Sequence, residues 1–348
     1  MNRQFPALSG LAMLLIVLNH TIQMGATASV QAGFPPLAEP VRVLLSLLQG
    51  LGVFAVPTFL FISGAFVAYA ARGEPPTLTG KFLRNSLSHI LWPYLLWSLL
   101  FYAVVFVQLD QRYGPLGIVK NLLTGYPFHF VPLLVLYYLL APLLVRVGRR
   151  WGWLVLAGIG LGQLFLINVL HPGALGFTLP SQAQALVPPV IGRTLADWAI
   201  YFPLGLVYGL NAKRLLPALQ RLKWAFAGGV VLFFVLGFLH FNQVITLPLA
   251  SFLAPLCFVL FAPSIQRDWI PGARRLERVG KRSYGLYLTH LIVLDLTLWG
   301  IQVLAPGLFR FQLLLLPLLF AVALFVPLLA MDGLARSPRR TVYRYVFG

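Results

Sequence analysis

Residues 311–331 read FQLLLLPLLFAVALFVPLLAM, from Phe311 to Met331, without one ionisable side chain. An apolar run of roughly 20 residues is enough to cross the hydrocarbon core of a bilayer as a helix. Working outward from that stretch, spans are expected near 7–25, 50–71, 87–108, 129–146, 152–170, 193–210, 224–241, 244–262, 283–304 and 311–331. The fold class that follows is all-α: a polytopic transmembrane helix bundle of about ten spans, forming one integral-membrane domain over residues 1–348.

The short loops between these spans fix an orientation. Cytoplasmic loops carry an excess of Lys and Arg. Of the 26 such residues, all but Arg42, Arg112, Lys120, Arg193 and Arg310 fall on one set of alternate loops. Both termini are therefore expected in the cytoplasm, as an even number of crossings requires. The net charge of +18 is read as a topology signal and as contact with anionic lipid headgroups. Nucleic acid is excluded as a partner, because the basic residues are dispersed over loops and no nucleic-acid module accompanies them.

Cys257 is the sole cysteine and lies inside an apolar span, so neither an internal disulfide nor a thiolate metal cluster is available. Arg3, the apolar run 11–18 and Ala26-Thr27-Ala28 loosely mimic a cleavable signal peptide. The segment also fits as the first span and is read as that. Prolines recur inside the spans, among them Pro57, Pro93, Pro142, Pro203, Pro255 and Pro317. Each frees a carbonyl that neighbouring helices or a cavity must satisfy.

Ionisable groups at membrane depth are costly, and by default they are functional candidates. The sequence offers few: His20 after the apolar run from Gly10, His290 after Ser283-Tyr-Gly-Leu-Tyr-Leu-Thr289, and Asp295 beyond it. Histidine titrates near neutrality and can take a proton from an attacking hydroxyl. No nucleophile elbow, metal-binding His pair or phosphate loop is present. A His-assisted transfer without metal or covalent Ser is the simplest enzymatic reading. His89, His171 and His240 lie near span ends, where a histidine meets water or headgroups, and are read as structural.

Six stretches, in this order and spacing, carry a likeness to a known family. They are Phe5-Pro-Ala-Leu-Ser-Gly-Leu-Ala-Met-Leu-Leu-Ile-Val-Leu-Asn-His20, Phe59-Leu-Phe-Ile-Ser-Gly64, Trp92-Pro-Tyr-Leu-Leu-Trp97, His129-Phe-Val-Pro-Leu-Leu134, Asp197-Trp-Ala-Ile-Tyr-Phe-Pro-Leu-Gly205 and Ser283-Tyr-Gly-Leu-Tyr-Leu-Thr-His290. Over nearly its whole length the chain resembles the integral-membrane acyltransferase-3 family, which includes sugar O-acyltransferases of bacterial envelopes. The resemblance implies an acyltransferase transferring groups other than aminoacyl, with His20 catalytic and Ser283, Tyr284, Tyr287 and His290 in supporting roles. It implies no bound cofactor and no metal. Acyl-CoA, with acetyl the commonest acyl group, would be the co-substrate, and a hydroxyl of a sugar or lipid-linked glycan the acceptor. The expected setting is O-acetylation of a polysaccharide at a bacterial inner membrane.

One departure stands out. Family members carry an Arg eleven residues before the histidine, and here Ser9 occupies that place. Other cations must then meet the donor phosphates, and Arg3, Arg84, Lys281 and Arg282 are the candidates on the inner side. The departure also keeps open a glycan or lipid transporter, or a non-catalytic scaffold, on the same fold. Counting rise from the start of each span, His20 lies roughly 22 Å deep and His290 roughly 10 Å. That predicts an inner station at His290 and an outer one at His20, without direct contact between the rings. Ser283, Tyr287 and His290 share a helix face by their spacing, and Asp295 points elsewhere.

The topology is testable by cysteine labelling in intact cells. A single Cys introduced near residue 148, 217 or 273 should resist an impermeant thiol reagent. Efficient labelling within 263–282 would reverse the orientation.

Overall fold

A backbone in hydrocarbon must bond to itself, so each apolar segment becomes a helix. The computed structural model describes residues 4–71, 73, 74, 76–337 and 340–348, with the backbone alone at Arg340 and Thr341. Arg3, Arg72 and Arg339 lie outside the described residues. The helices are α1 (Phe5–Gln31), α2 (Glu39–Gly50), α3 (Ala55–Ala70), α4 (Gly80–Leu109), α5 (Pro115–Thr124), α6 (Phe130–Leu170), α7 (Gly192–Trp198), α8 (Tyr201–Leu210), α9 (Ala212–Arg221), α10 (Lys223–Phe241), α11 (Ala250–Phe261), α12 (Ala273–Gly280), α13 (Ser283–Leu304), α14 (Gln312–Arg336) and α15 (Arg340–Val346). The protein is a polytopic, all-helical membrane protein. Among the described residues, seven helical stretches are long and apolar enough to cross a membrane.

That count differs from the ten segments expected, and the differences have identifiable causes. Two expected spans, 129–146 and 152–170, are continuous in α6, a stretch of 41 residues broken at Trp151, whose φ of −118° and ψ of 26° are not helical. Tyr137, before the break, donates its hydroxyl to the Ala199 carbonyl at 2.5 Å. Gln163, after the break, donates to the Ala196 carbonyl at 2.8 Å. Both halves therefore meet the same turn of chain, while Gly148 and Gly152 flank Val207. The chain folds back at Trp151. The expected span 193–210 is divided into α7 and α8, and 244–262 is a short helix, α11, running into the turn Ala262–Ser264.

Contacts group the chain into two compact units. The first holds Val56–Ser88 and Val119–Pro271, with Gln4 and Phe5. Its core includes an aromatic cluster of Phe5, Phe61 and Tyr208, with ring centroids 5.7 to 6.4 Å apart. The interruption between α7 and α8 would leave backbone groups unpaired in an apolar setting. Gln163, 1% exposed, closes it. Its amide nitrogen serves the Ala196 carbonyl, and its oxygen accepts from the Ile200 N–H at 2.9 Å. Tyr137 serves Ala199 between them. At the end of α10, His240 Nδ1 lies 3.2 Å from the Ile245 carbonyl.

The second unit holds Pro6–Ala55, His89–Ile118 and Gly272–Gly348. Here α13 is braced on α4: the Tyr284 hydroxyl donates to the Ile90 carbonyl at 2.6 Å, one turn before Pro93. The Trp97 indole N–H donates to the Val346 carbonyl at 2.7 Å, and its ring stacks on Phe347. Gln312, at the start of α14, donates to the Pro35 carbonyl at 2.9 Å.

Replacing Gln163 by Leu keeps the size and strands the Ile200 N–H and the Ala196 carbonyl. Each unsatisfied buried group costs about 1–3 kcal/mol. Gln163→Leu should therefore lower the Tm of the purified protein clearly more than Tyr137→Phe, which strands one carbonyl. An unchanged Tm in Gln163→Leu would mean that the break is held by other contacts.

Candidate active site

The site is built where α1 meets α12 and α13. A Cβ on Gly10 would fall onto the Leu276 carbonyl, and one on Gly280 onto the Pro6 carbonyl. Only hydrogen at these two positions lets α1 and α12 cross so closely. The crossing sets the register. From Gly10, α1 climbs to His20; from Gly280, the chain climbs through Lys281 and Arg282 into α13 and reaches His290 after the same number of residues.

The two imidazoles consequently lie side by side, with ring centroids 5.4 Å apart and planes at 42°. This corrects the expectation of separate inner and outer stations. Counting depth from the start of each span assumed a common starting level. In fact α1 is already well advanced at its crossing with α12, before α13 begins.

His290 is fully buried and His20 half-buried. His290 Nδ1 lies 3.1 Å from the Leu286 carbonyl, which can only accept, so Nδ1 carries the hydrogen. In neutral His290 the lone pair is then on Nε2, which is buried and has no hydrogen-bond partner among the described residues. Tyr287, one turn earlier, packs its ring 5.9 Å from His290, as the shared helix face requires. Asp295, further along α13, has a buried carboxylate oxygen, Oδ2, without a hydrogen-bond partner among the described residues.

Beyond His20 the polar stripe of α1 continues through Gln23 and Thr27, at i+3 and i+7. Both line a cavity of about 290 Å³ together with Arg42, Ser46, Gln49 and Gln312. Asn19, the residue before His20, ties α1 to this wall by donating to the Gln49 carbonyl at 3.0 Å. Arg42 is ion-paired with Glu39 on α2. The sequence reading overlooked this cavity, although the spacing of His20, Gln23 and Thr27 was visible in it.

The remaining expected residues are distributed unevenly. The Tyr284 hydroxyl is committed to the Ile90 carbonyl, so it acts as a brace between helices. Ser283 opens α13 and is half-buried. Arg282 is ion-paired with Asp332 of α14, and Lys281 stands exposed. Arg84 is exposed near the start of α4, on the part belonging to the first unit. Ser9 is buried, 6% exposed, one residue from the tight crossing at Gly10. No group of three His, Cys, Asp or Glu side chains that could hold a metal ion occurs among the described residues.

Compared with known families, residues 7–332 match the acyltransferase domain of the acyltransferase-3 family. The chain belongs to that family. The match runs from α1 into α14 and includes both histidines and the Gly10–Gly280 crossing. No curated protein and no solved structure matches the chain. Membership of the acyltransferase-3 family supports a membrane acyltransferase, and the match spans the segments that bring His20 and His290 together.

The register of this acyltransferase-3 protein can be disturbed without touching either imidazole. Forcing a methyl group into a packed crossing typically costs about 1–3 kcal/mol and displaces the helices. Gly280→Ala should lower both the Tm and the rate of acyl transfer. Gly158→Ala, whose added Cβ meets nothing within 4 Å, serves as the control and should change neither. Full transfer activity in Gly280→Ala would detach the crossing from function.

Proposed function

We propose that the protein moves an acyl group, acetyl being the simplest case, from a cytoplasmic acyl-CoA to a hydroxyl of a sugar or a lipid-linked glycan. The observation that carries this reading is the direct apposition of His20 and His290 within a chain of the acyltransferase-3 family. His20 is the general base. It takes the proton of the acceptor hydroxyl as that oxygen attacks the thioester carbonyl. The tetrahedral intermediate collapses with loss of the CoA thiolate, and the proton on His20 passes to the sulfur. His290, held through Nδ1, is a positioning residue for His20 and is itself set by Leu286.

Support for the acceptor comes from the cavity beyond His20. Its amide and hydroxyl side chains, Gln23, Thr27, Ser46, Gln49 and Gln312, both donate and accept hydrogen bonds. Such a lining suits a neutral polyhydroxylated ligand. The membrane topology proposed with this function has ten crossings and both termini in the cytoplasm of a bacterial cell, in its inner membrane. A second reading, a transporter or scaffold without chemistry, is favoured by a single observation: the buried Ser9 in place of the cation that other family members carry.

The two readings separate on His20→Ala. Removing a general base lowers rate by roughly 10²–10⁴. Purified His20→Ala should keep the wild-type Tm and lose transfer from acetyl-CoA to a glycan acceptor by that factor. Wild-type turnover in the folded variant would take the base role from His20, and absence of turnover in the unmutated protein would favour the transporter reading.

A further inference from the structure

Donor phosphates need cations, and the sequence nominated four on the inner side. Of these, Arg282 is held by Asp332, Arg3 lies outside the described residues, and Arg84 and Lys281 line neither of the cavities described here. The first unit offers a different set. A cavity of about 610 Å³ opens where the fold-back in α6 meets the junction of α8 and α9. Arg149, Lys213 and Arg214 line it, and no carboxylate does. Its walls also include the rings of Phe5, Tyr69 and Tyr208.

The cationic rim is built into the fold. Arg149 Nη1 donates to the Leu210 carbonyl at 2.5 Å, which fixes the guanidinium at the mouth. Asn211 Nδ2 donates to the Val207 carbonyl at 3.1 Å and reaches the Gly148 carbonyl at 3.4 Å, tying the two rims together. At the base, Tyr208 is packed edge-on against Phe5 and is 4% exposed. Any cytoplasmic loop of a membrane protein is rich in Lys and Arg. What topology alone does not require is that three such cations converge on one cavity, without a neutralising carboxylate and beside aromatic rings. The volume lies within the range of small-molecule sites, roughly 300–1,000 Å³.

We propose that this cavity binds the nucleotide end of the acyl donor: an adenosine bearing a phosphomonoester and a diphosphate. Arg149, Lys213 and Arg214 receive the phosphate oxygens through charge-assisted hydrogen bonds, with the planar guanidinium groups suited to two-point contact. Tyr69, largely exposed at the rim, offers a ring face to the adenine. The inference rests on the acyl-CoA reading given above and supplies the cations that Ser9 does not. The same chemistry would also fit the phosphate of an anionic lipid headgroup, so the test has to separate these two sources.

The full chain is reconstituted in nanodiscs of phosphatidylcholine, and binding of 3′-phosphoadenosine 5′-diphosphate is measured by calorimetry. Lys213→Gln with Arg214→Gln should raise Kd tenfold or more, and each single substitution should shift it the same way. The KM for acetyl-CoA should rise tenfold or more relative to that for acetyl-pantetheine, which has the thioester and lacks the nucleotide. Unchanged Kd and an unchanged KM ratio in the folded double variant would overturn the assignment. So would loss of co-purifying phosphatidylglycerol, measured by mass spectrometry, with nucleotide Kd unaltered; the cavity would then be a headgroup site. The transferase reading is judged separately. Turnover of acetyl-pantetheine by a protein that binds no nucleotide would sink the cavity assignment alone, and failure to turn over either donor would sink the transferase reading.

Discussion

Wherever this chain lies in hydrocarbon, its amides and carbonyls have only the chain itself to bond to, and an unpaired group there costs several kcal/mol. That constraint explains the helical fold, and it also explains where buried polar side chains are spent. Gln163 and Tyr137 are consumed in closing the break between α7 and α8. Tyr284 is consumed on the Ile90 carbonyl beside Pro93, and Thr289 on the carbonyl of Gly285. Against this background the imidazole of His290 is informative. One of its nitrogens is spent on the Leu286 carbonyl, the other has no hydrogen-bond partner among the described residues, and the ring centroid lies 5.4 Å from that of a half-buried His20.

The pairing of the two histidines depends on a contact far from either. The crossing of α1 and α12 at Gly10 and Gly280 determines which residue of α1 stands level with which residue of α13. Helix periodicity names the residues that share a face on one helix, and in this respect the grouping of Tyr287 with His290 was readable in advance. It carries no information on the offset between two helices distant in sequence. Depth counted along each helix therefore separates two rings that the crossing glycines, inconspicuous in an apolar sequence, bring level.

Much else was legible. The all-helical membrane fold, the family and the two candidate histidines followed from apolar run length and motif order. The fold-back of α6 at Trp151 was anticipated as two spans, because Arg149 and Arg150 interrupt the apolar run. The division of α7 from α8 was not, since no Pro or Gly marks Ala199–Ile200 and the break is closed by the distant side chains of Gln163 and Tyr137. Arg149, Lys213 and Arg214 were counted solely as topology charges. A cation on a cytoplasmic loop and a cation at a phosphate site look alike in sequence, and only their convergence around one cavity distinguishes them.

The central claim is that His20 and His290 act as one catalytic unit. Residues that work as a unit lose most of their effect with the first removal, so their effects on rate are strongly non-additive. The most direct measurement is a double-mutant cycle on kcat/KM for acyl transfer, using His20→Ala, His290→Gln and the pair, with Tm as the check on folding. The account predicts that the double variant is hardly slower than His20→Ala alone. Losses that multiply, with His290→Gln costing the same factor whether or not His20 is present, would contradict it.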